Sequence, residues 1–240
     1  MSSTPESDRL YFRQLLAGRD FAQTDPVAGQ MLNFIYLIGD RKTGECLIVD
    51  PAWNVNELWD IAEADGMRIV GVLATHFHPD HVGGDLWGTD VPGIRELLEK
   101  APLKVHCQRD EEEWILGMTG VSKTDLALAD SGDKINVGEV EITLIHTPGH
   151  TPGSQCFLVD DRLVAGDTLF LNGCGRTDLP GGDKDEIYRS ITERLAKIPS
   201  STMLYPGHLY SPEPHATLEQ TRSSNYVFQV PSIEAWRQMV

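Results

Sequence analysis

A mixed α and β fold is predicted for this chain, and three observations predict it. Residues 31–38 and 45–50 are apolar enough for two strands, joined by the turn-forming string Gly39-Asp40-Arg41-Lys42-Thr43-Gly44. Residues 54–66 then carry Val55, Leu58, Trp59, Ile61 and Ala62 at helical spacing, and the apolar run 69–74 follows as a strand. Three later runs, 139–145, 162–166 and 202–205, each read as a strand leading towards a histidine or aspartate. A hairpin followed by a strand, helix, strand step belongs to neither an all-α nor an all-β chain.

The elements follow in order. Residues 1–8 are polar and expected to be loose, 10–16 suit an edge strand, and 20–30 read as loop. Asp50 ends the second hairpin strand before Pro51, where a carboxylate serves either as a turn cap or as an acceptor that orients a metal-ligating histidine. Asn54 is placed to cap the helix that follows and Gly66 to end it. A short helix is expected over 92–100, a strand over 103–107, and a helix opening at 110–114 with acids in its first turn, where the helix dipole favours them. Residues 117–132 read as a long surface loop, and His106 as a core or capping histidine. Residues 186–197 have helical spacing suited to covering a sheet face, and the tail 226–240, with Trp236 and Met239, is placed either against the body or in a subunit contact of a homodimer.

Length and composition bound the rest. With 240 residues, 40% of them hydrophobic, the chain is read as a single domain over 1–240. Its 20 Lys and Arg against 36 Asp and Glu give a net charge of −16, which repels phosphate backbones and anionic lipid, so no nucleic acid and no membrane partner is expected. Cys46, Cys107, Cys156 and Cys174 are scattered, with no CxxC pair, as in a reducing compartment. The first residues form no secretion signal and no stretch is apolar enough to span a bilayer, so the expected location is the cytoplasm.

The chemistry concentrates in Thr75-His76-Phe77-His78-Pro79-Asp80-His81, directly after the 69–74 strand. Imidazole and carboxylate suit a borderline divalent ion, and residues two apart in an extended loop point the same way, so His76 and His78 converge on one ion. Asp80 and His81, displaced from that pair, face a second. Downstream, the 139–145 strand leads to His150, 162–166 to Asp167, and 202–205 to His208, with a glycine directly before each ligand. Such glycines let backbone approach a compact site. His76, His78 and His150 then surround one ion, Asp80, His81 and His208 the other, and Asp167 bridges them. Two divalent ions are expected, zinc first, with iron or manganese as alternatives, and Asp80 is also the candidate catalytic carboxylate.

The chain resembles the metallo-β-lactamase superfamily over about residues 31–208, on the strings THFHPDH, HTPGH, AGDTLF and YPGH. That resemblance implies an αββα sandwich of two mixed β-sheets flanked by helices, with metals at one sheet edge. The segment Gly173-Cys174-Gly175-Arg176-Thr177-Asp178 is most similar to the branch of hydroxyacylglutathione hydrolase (glyoxalase II) and the persulfide dioxygenases. The leading expectation is hydrolysis of a small-molecule acyl-thioester by metal-activated hydroxide. The rival is a persulfide dioxygenase holding one iron at His76, His150 and Asp167 and taking a thiol-derived substrate. Lactone hydrolysis on the same metals and a non-enzymatic metal-binding module complete the alternatives.

No HExxH, GxSxG or P-loop string competes for the chemistry. A true β-lactamase is disfavoured, since no secretion signal is seen and the second ion has an Asp-His-His set without thiolate. Glyoxalase II carries aromatic residues where Thr177 and Asp178 stand, and a larger C-terminal helical lobe where only 32 residues (240 minus 208) follow His208, which leaves the identity of the thiol open. Arg176 is the candidate for a substrate carboxylate, against the alternative of pairing with Asp178 or Asp183, and Tyr210 is a candidate substrate contact. Cys174 reads as a packed residue and not a redox thiol.

Overall fold

The computed structural model describes residues 9–239; the expectation for residues 1–8 lies outside them. The first half runs β1 (Leu10–Leu16), α1 (Pro26–Met31), β2 (Phe34–Asp40), β3 (Glu45–Val49), α2 (Val55–Ala64), β4 (Arg68–Leu73), α3 (Pro79–Val82), β5 (Gly84–Leu86), β6 (Thr89–Val91), α4 (Ile94–Lys100), β7 (Val105–Gln108), α5 (Glu112–Thr119) and β8 (Leu126–Ala129). The second runs β9 (Lys134–Val137), β10 (Val140–His146), β11 (Gln155–Val159), β12 (Arg162–Gly166), α6 (Lys184–Arg189), β13 (Met203–Pro206), β14 (Ala216–Thr217), α7 (Leu218–Ser224) and α8 (Ile233–Met239).

Two six-stranded sheets carry the fold, in the orders β1-β2-β3-β4-β7-β8 and β14-β13-β12-β11-β10-β9, with β5 and β6 pairing separately. Both are mixed. In the first, β3, β4, β7 and β8 pair in parallel, and in the second only β12 and β13 do. Strand β2 explains the layering: Phe34, Tyr36 and Ile38 point between the sheets towards Ile142, Leu144, Phe157 and Val164, while Ile35 and Leu37 point outwards under Leu58, Leu97 and Ile115 of the helices. Burial on both faces is why this strand reads as an unbroken apolar run. The outer face of the second sheet buries Leu163, Ala165 and Leu204 against Ile187, Ile191, Leu218 and Trp236. Helices therefore cover both outer faces, and the expected αββα sandwich is the fold.

Several local expectations are corrected. Residues 20–30 are not all loop, because Asp25 accepts from the amides of Val27 and Ala28 and starts α1, which ends as Leu32 turns left-handed at φ 56°. The second strand consequently begins at Phe34, three residues later than its pattern suggests. Residues 117–132 are not one long loop, since α5 runs to Thr119 and Leu-Ala-Leu-Ala forms β8 on the sheet edge. Over 186–197 the helix loosens into a wide π turn at Ser190–Arg194 and tightens again at Leu195–Lys197. Asp65 caps α2, with Gly66 just beyond it at φ 74°.

The tail packs on the body. Trp236 stacks on Tyr188 and donates its indole N–H to the Lys184 carbonyl at 2.7 Å, whereas Met239 stays exposed. Among the described residues, no helix is long and apolar enough to cross a membrane.

At one end the sheets are sewn together. Phe34 N donates to Gly207 O (2.8 Å) and Leu209 N to Leu32 O (2.9 Å), joining β2 to the end of β13. On the other side Gln155 donates its amide N–H to Thr75 O (2.9 Å) and its side chain to Ala74 O (2.7 Å). The site lies between these seams.

Candidate metal centre

The loop after β4 delivers His76 and, in extended backbone, His78, and the single turn of α3 then carries Asp80 and His81. The turn after β10 brings His150, β12 ends beside Asp167, and β13 ends beside His208. Ligand atoms of His76, His78 and His150 lie within 4.8 Å of one another, and so do those of Asp80, His81 and His208. Asp167 stands between the clusters, 3.7 Å from His150 Nε2, 3.5 Å from His81 Nε2 and 3.3 Å from His208 Nε2. Crowding at this point demands glycine: a Cβ on Gly207 would lie 2.3 Å from Asp167 Oδ1, and one on Gly175 would lie 2.8 Å from the His150 ring.

The outer hydrogen bonds fix how the rings face. His150 Nδ1 donates to the Arg176 carbonyl (2.7 Å), His208 Nδ1 to the Met31 carbonyl (2.7 Å), and His81 Nδ1 to Asp50 Oδ2 (2.9 Å). The Thr75 hydroxyl donates to Asp50 Oδ2 (2.6 Å), so at 3.0 Å it accepts from His76 Nδ1. Each Nε2 of these four rings therefore turns inwards with its lone pair available for a cation. Asp50 accepts from His81 directly and from Thr75, the hydroxyl that meets His76, so it acts as the orienting acceptor and not as a mere turn cap.

These donors fit a pair of divalent ions. His150 Nε2 and Asp167 Oδ1 are, among the described residues, buried polar atoms with no hydrogen-bond partner. His81 Nε2 and His208 Nε2 face each other at 3.1 Å, which requires a proton or a cation between them. The protonation pattern agrees. Burial pushes His76, His78 and His150 down, His78 to about 4, so the first cluster presents neutral imidazoles. Burial also opposes charge on His81 and His208, yet Asp80 and Asp167 outweigh it, taking His81 to about 10 and His208 upwards. Burial opposes charge on Asp167 and Asp80 as well, but the facing histidines outweigh it, holding Asp167 well below the usual carboxylate range and lowering Asp80.

Glu111 is a supporting residue of the site that sequence reading missed. Its buried carboxylate accepts from Phe77 N (2.8 Å), Thr151 Oγ1 (2.7 Å) and Gly153 N, so one group holds the loops of His76, His78 and His150. Burial pushes Glu111 up to about 7. The acid-rich start of α5 showed in the sequence, but nothing in it separates Glu111 from Glu112 and Glu113.

The remaining candidates lie at the rim. Arg176 uses its carbonyl to orient His150, while its exposed guanidinium is held bidentately by Asp178 at 2.7 Å. The half-exposed ring of Tyr210 stacks on His208, with centroids 4.6 Å apart and planes 7° from parallel, and Phe170 meets it edge-on at 5.1 Å. Cys174 is half-buried beside the second-sheet core, and burial raises its thiol to about 12. His106 sits on β7, away from both clusters.

The family model described as Metallo-beta-lactamase superfamily matches residues 28–208, which include every one of these ligands. The chain belongs to that superfamily. Within it, the chain is 30% identical over 211 residues to a probable metallo-hydrolase, YqgX, of Bacillus subtilis, covering 82% of this chain and 93% of that one. It is 31% identical over 197 residues to the human mitochondrial persulfide dioxygenase ETHE1, covering 80% and 70% respectively. Among solved structures, ETHE1 from Myxococcus xanthus superposes with a TM-score of 0.78 at 26% identity, covering 95% of this chain and 89% of that one. This superfamily chain thus has relatives named for hydrolysis and for oxidation, on one metal-binding scaffold.

Proposed function

We propose that the protein is an enzyme that hydrolyses a small acyl-thioester with hydroxide generated at a pair of divalent ions. One observation carries this reading: both three-residue clusters are complete, and Asp167 stands between them within 3.3–3.7 Å of a histidine on each side. Two ions held there would lower the pKa of a shared water towards about 7 and so supply a nucleophile at neutral pH. His76, His78 and His150 would hold the ion on the first side, and Asp80, His81 and His208 the other, with zinc as the expected metal. Asp80 makes its contacts through Oδ2, 3.4 Å from both His81 Nε2 and His208 Nε2, which leaves Oδ1 to orient the attacking water and take its proton. Tyr210 and Phe170 form an aromatic wall for the acyl or thiol part. Arg176 meets a substrate carboxylate only by exchanging it for Asp178.

A second reading has its own support. His76, His150 and Asp167 make a two-histidine, one-carboxylate set suited to a single iron, and mammalian relatives named as persulfide dioxygenases align over 80% of the chain. Elemental mass spectrometry of protein purified without added metal, with thioester hydrolysis and persulfide-dependent oxygen uptake measured in parallel, separates the two. Near two zinc-type ions per chain with thioester turnover is the expected result; about one iron per chain with oxygen uptake sinks the hydrolase reading.

A further inference from the structure

We infer that Asn33 and Trp53 form a positioning pair that fixes which oxygen of Asp80 faces the second ion, and thereby sets the affinity of that ion independently of the first. The inference rests on the two-cluster reading above. Asn33 is buried where β2 begins, and its side-chain Nδ2 donates to Asp80 Oδ2 at 3.1 Å while lying 3.3 Å from His81 Nε2. An asparagine amide can present either its oxygen or its nitrogen, and the wrong choice would set two acceptors against each other. Trp53 removes that choice. Its indole N–H, a donor only, reaches Asn33 Oδ1 at 3.0 Å, so the nitrogen must point at Asp80.

The backbone around the pair is committed to it. Trp53 is held at φ 80°, a left-handed conformation that bulky residues rarely adopt, and its own N–H is anchored to Pro92 O at 2.8 Å. Asn33 bonds to the rest of the fold through its main chain, with Ala17 N donating to its carbonyl at 2.9 Å and a bridge to His208. Those main-chain links survive a change of side chain. The amide itself serves Asp80 and the His81 edge, so its loss strikes the Asp80, His81, His208 cluster and spares His76, His78 and His150.

The test is a zinc titration against a competing chelator, resolving a first and a second dissociation constant in the wild type, Asn33→Ala and Trp53→Phe, with circular dichroism of each. Outer partners of metal ligands typically govern affinity by about 10–100-fold. The expected result is a second-ion constant weakened by about that factor in Asn33→Ala and by a smaller factor in Trp53→Phe, with the first-ion constant within about threefold of wild type. Trp53→Phe leaves Asn33 in place and frees only its orientation, so it decides the matter if Asn33→Ala does not fold. Both constants weakening together, or neither moving in Trp53→Phe, overturns the inference. Failure of the thioester reading looks different: a wild type that binds its second zinc but turns over no thioester.

Discussion

The cluster of His76, His78 and His150 and the cluster of Asp80, His81 and His208 adjoin the same aspartate, but they are braced differently. The first is uncharged apart from Asp167, and its loops hang on a single carboxylate, Glu111, which grips main-chain amides on both. The second carries its charge within itself, and each ligand has its own brace: Asn33 on Asp80, Asp50 on His81, the Met31 carbonyl on His208. Loops tied through one shared carboxylate loosen together when it goes, even though Arg176 and Thr75 still orient the rings of His150 and His76, whereas the second cluster has no such common tie among the described residues. The contrast is open to measurement.

The largest effect is expected at the group common to both. Asp167→Ala should weaken both ions by more than about 100-fold, beyond the range typical of outer partners. His150→Ala should strip the first ion and His208→Ala the second; ion content after gel filtration distinguishes them, and an Asp167→Ala protein that keeps one ion at full affinity would rule out bridging. Next comes Glu111→Ala, which buries the amides of Phe77 and Gly153 without acceptors at about 1–3 kcal/mol each. Denaturant unfolding should show about 2–6 kcal/mol lost, with the first ion weakened more than the second; the reverse order would erase the asymmetry.

Glu111 also predicts a pH dependence. Its folded value of about 7 stands above the ordinary 4.5, so between those limits the folded state binds more protons than the unfolded. Its contribution to stability therefore falls as pH rises through that window, by about 3 kcal/mol in all. Glu111→Gln abolishes this slope, so the wild-type minus variant stability should decline from pH 4.5 to 7; parallel curves would show that Glu111 does not titrate there. Smaller still is Tyr210→Ala. Losing a stacked ring worth about 0.5–1.5 kcal/mol should raise KM roughly 2–10-fold with kcat unchanged. Smallest is Arg176→Ala, which breaks an exposed ion pair and should change stability by less than about 1 kcal/mol. A larger loss of first-ion affinity there would mean that the side chain, and not only the carbonyl, steadies His150.

The ligands were legible because metal binding needs few residue types, and here each of His150, Asp167 and His208 follows a glycine shortly after a strand. The sandwich was legible in the runs that β2 and β4 bury on both faces. The braces were not. Asn33 finds Asp80 across 47 positions and Trp53 finds Asn33 across 20, and no periodicity records such a pairing. Glu111 is hidden among acids that a helix dipole would welcome anyway. Helix α1 escaped notice because Asp25 and Pro26 begin it within a stretch otherwise rich in turn residues, and β8 because four alternating Leu and Ala residues carry little pattern.

The seams that sew the sheets together have a consequence for how the molecule is made. Each cluster takes ligands from both halves of the chain, and the second is completed only by His208, close to the last strand of its sheet. A nascent chain on the ribosome therefore passes through a stage with the first histidines emerged and no finished cage to receive a metal. A full pair of cages thus exists only once the two sheets have met, so an ion bound there would act as a clasp across both.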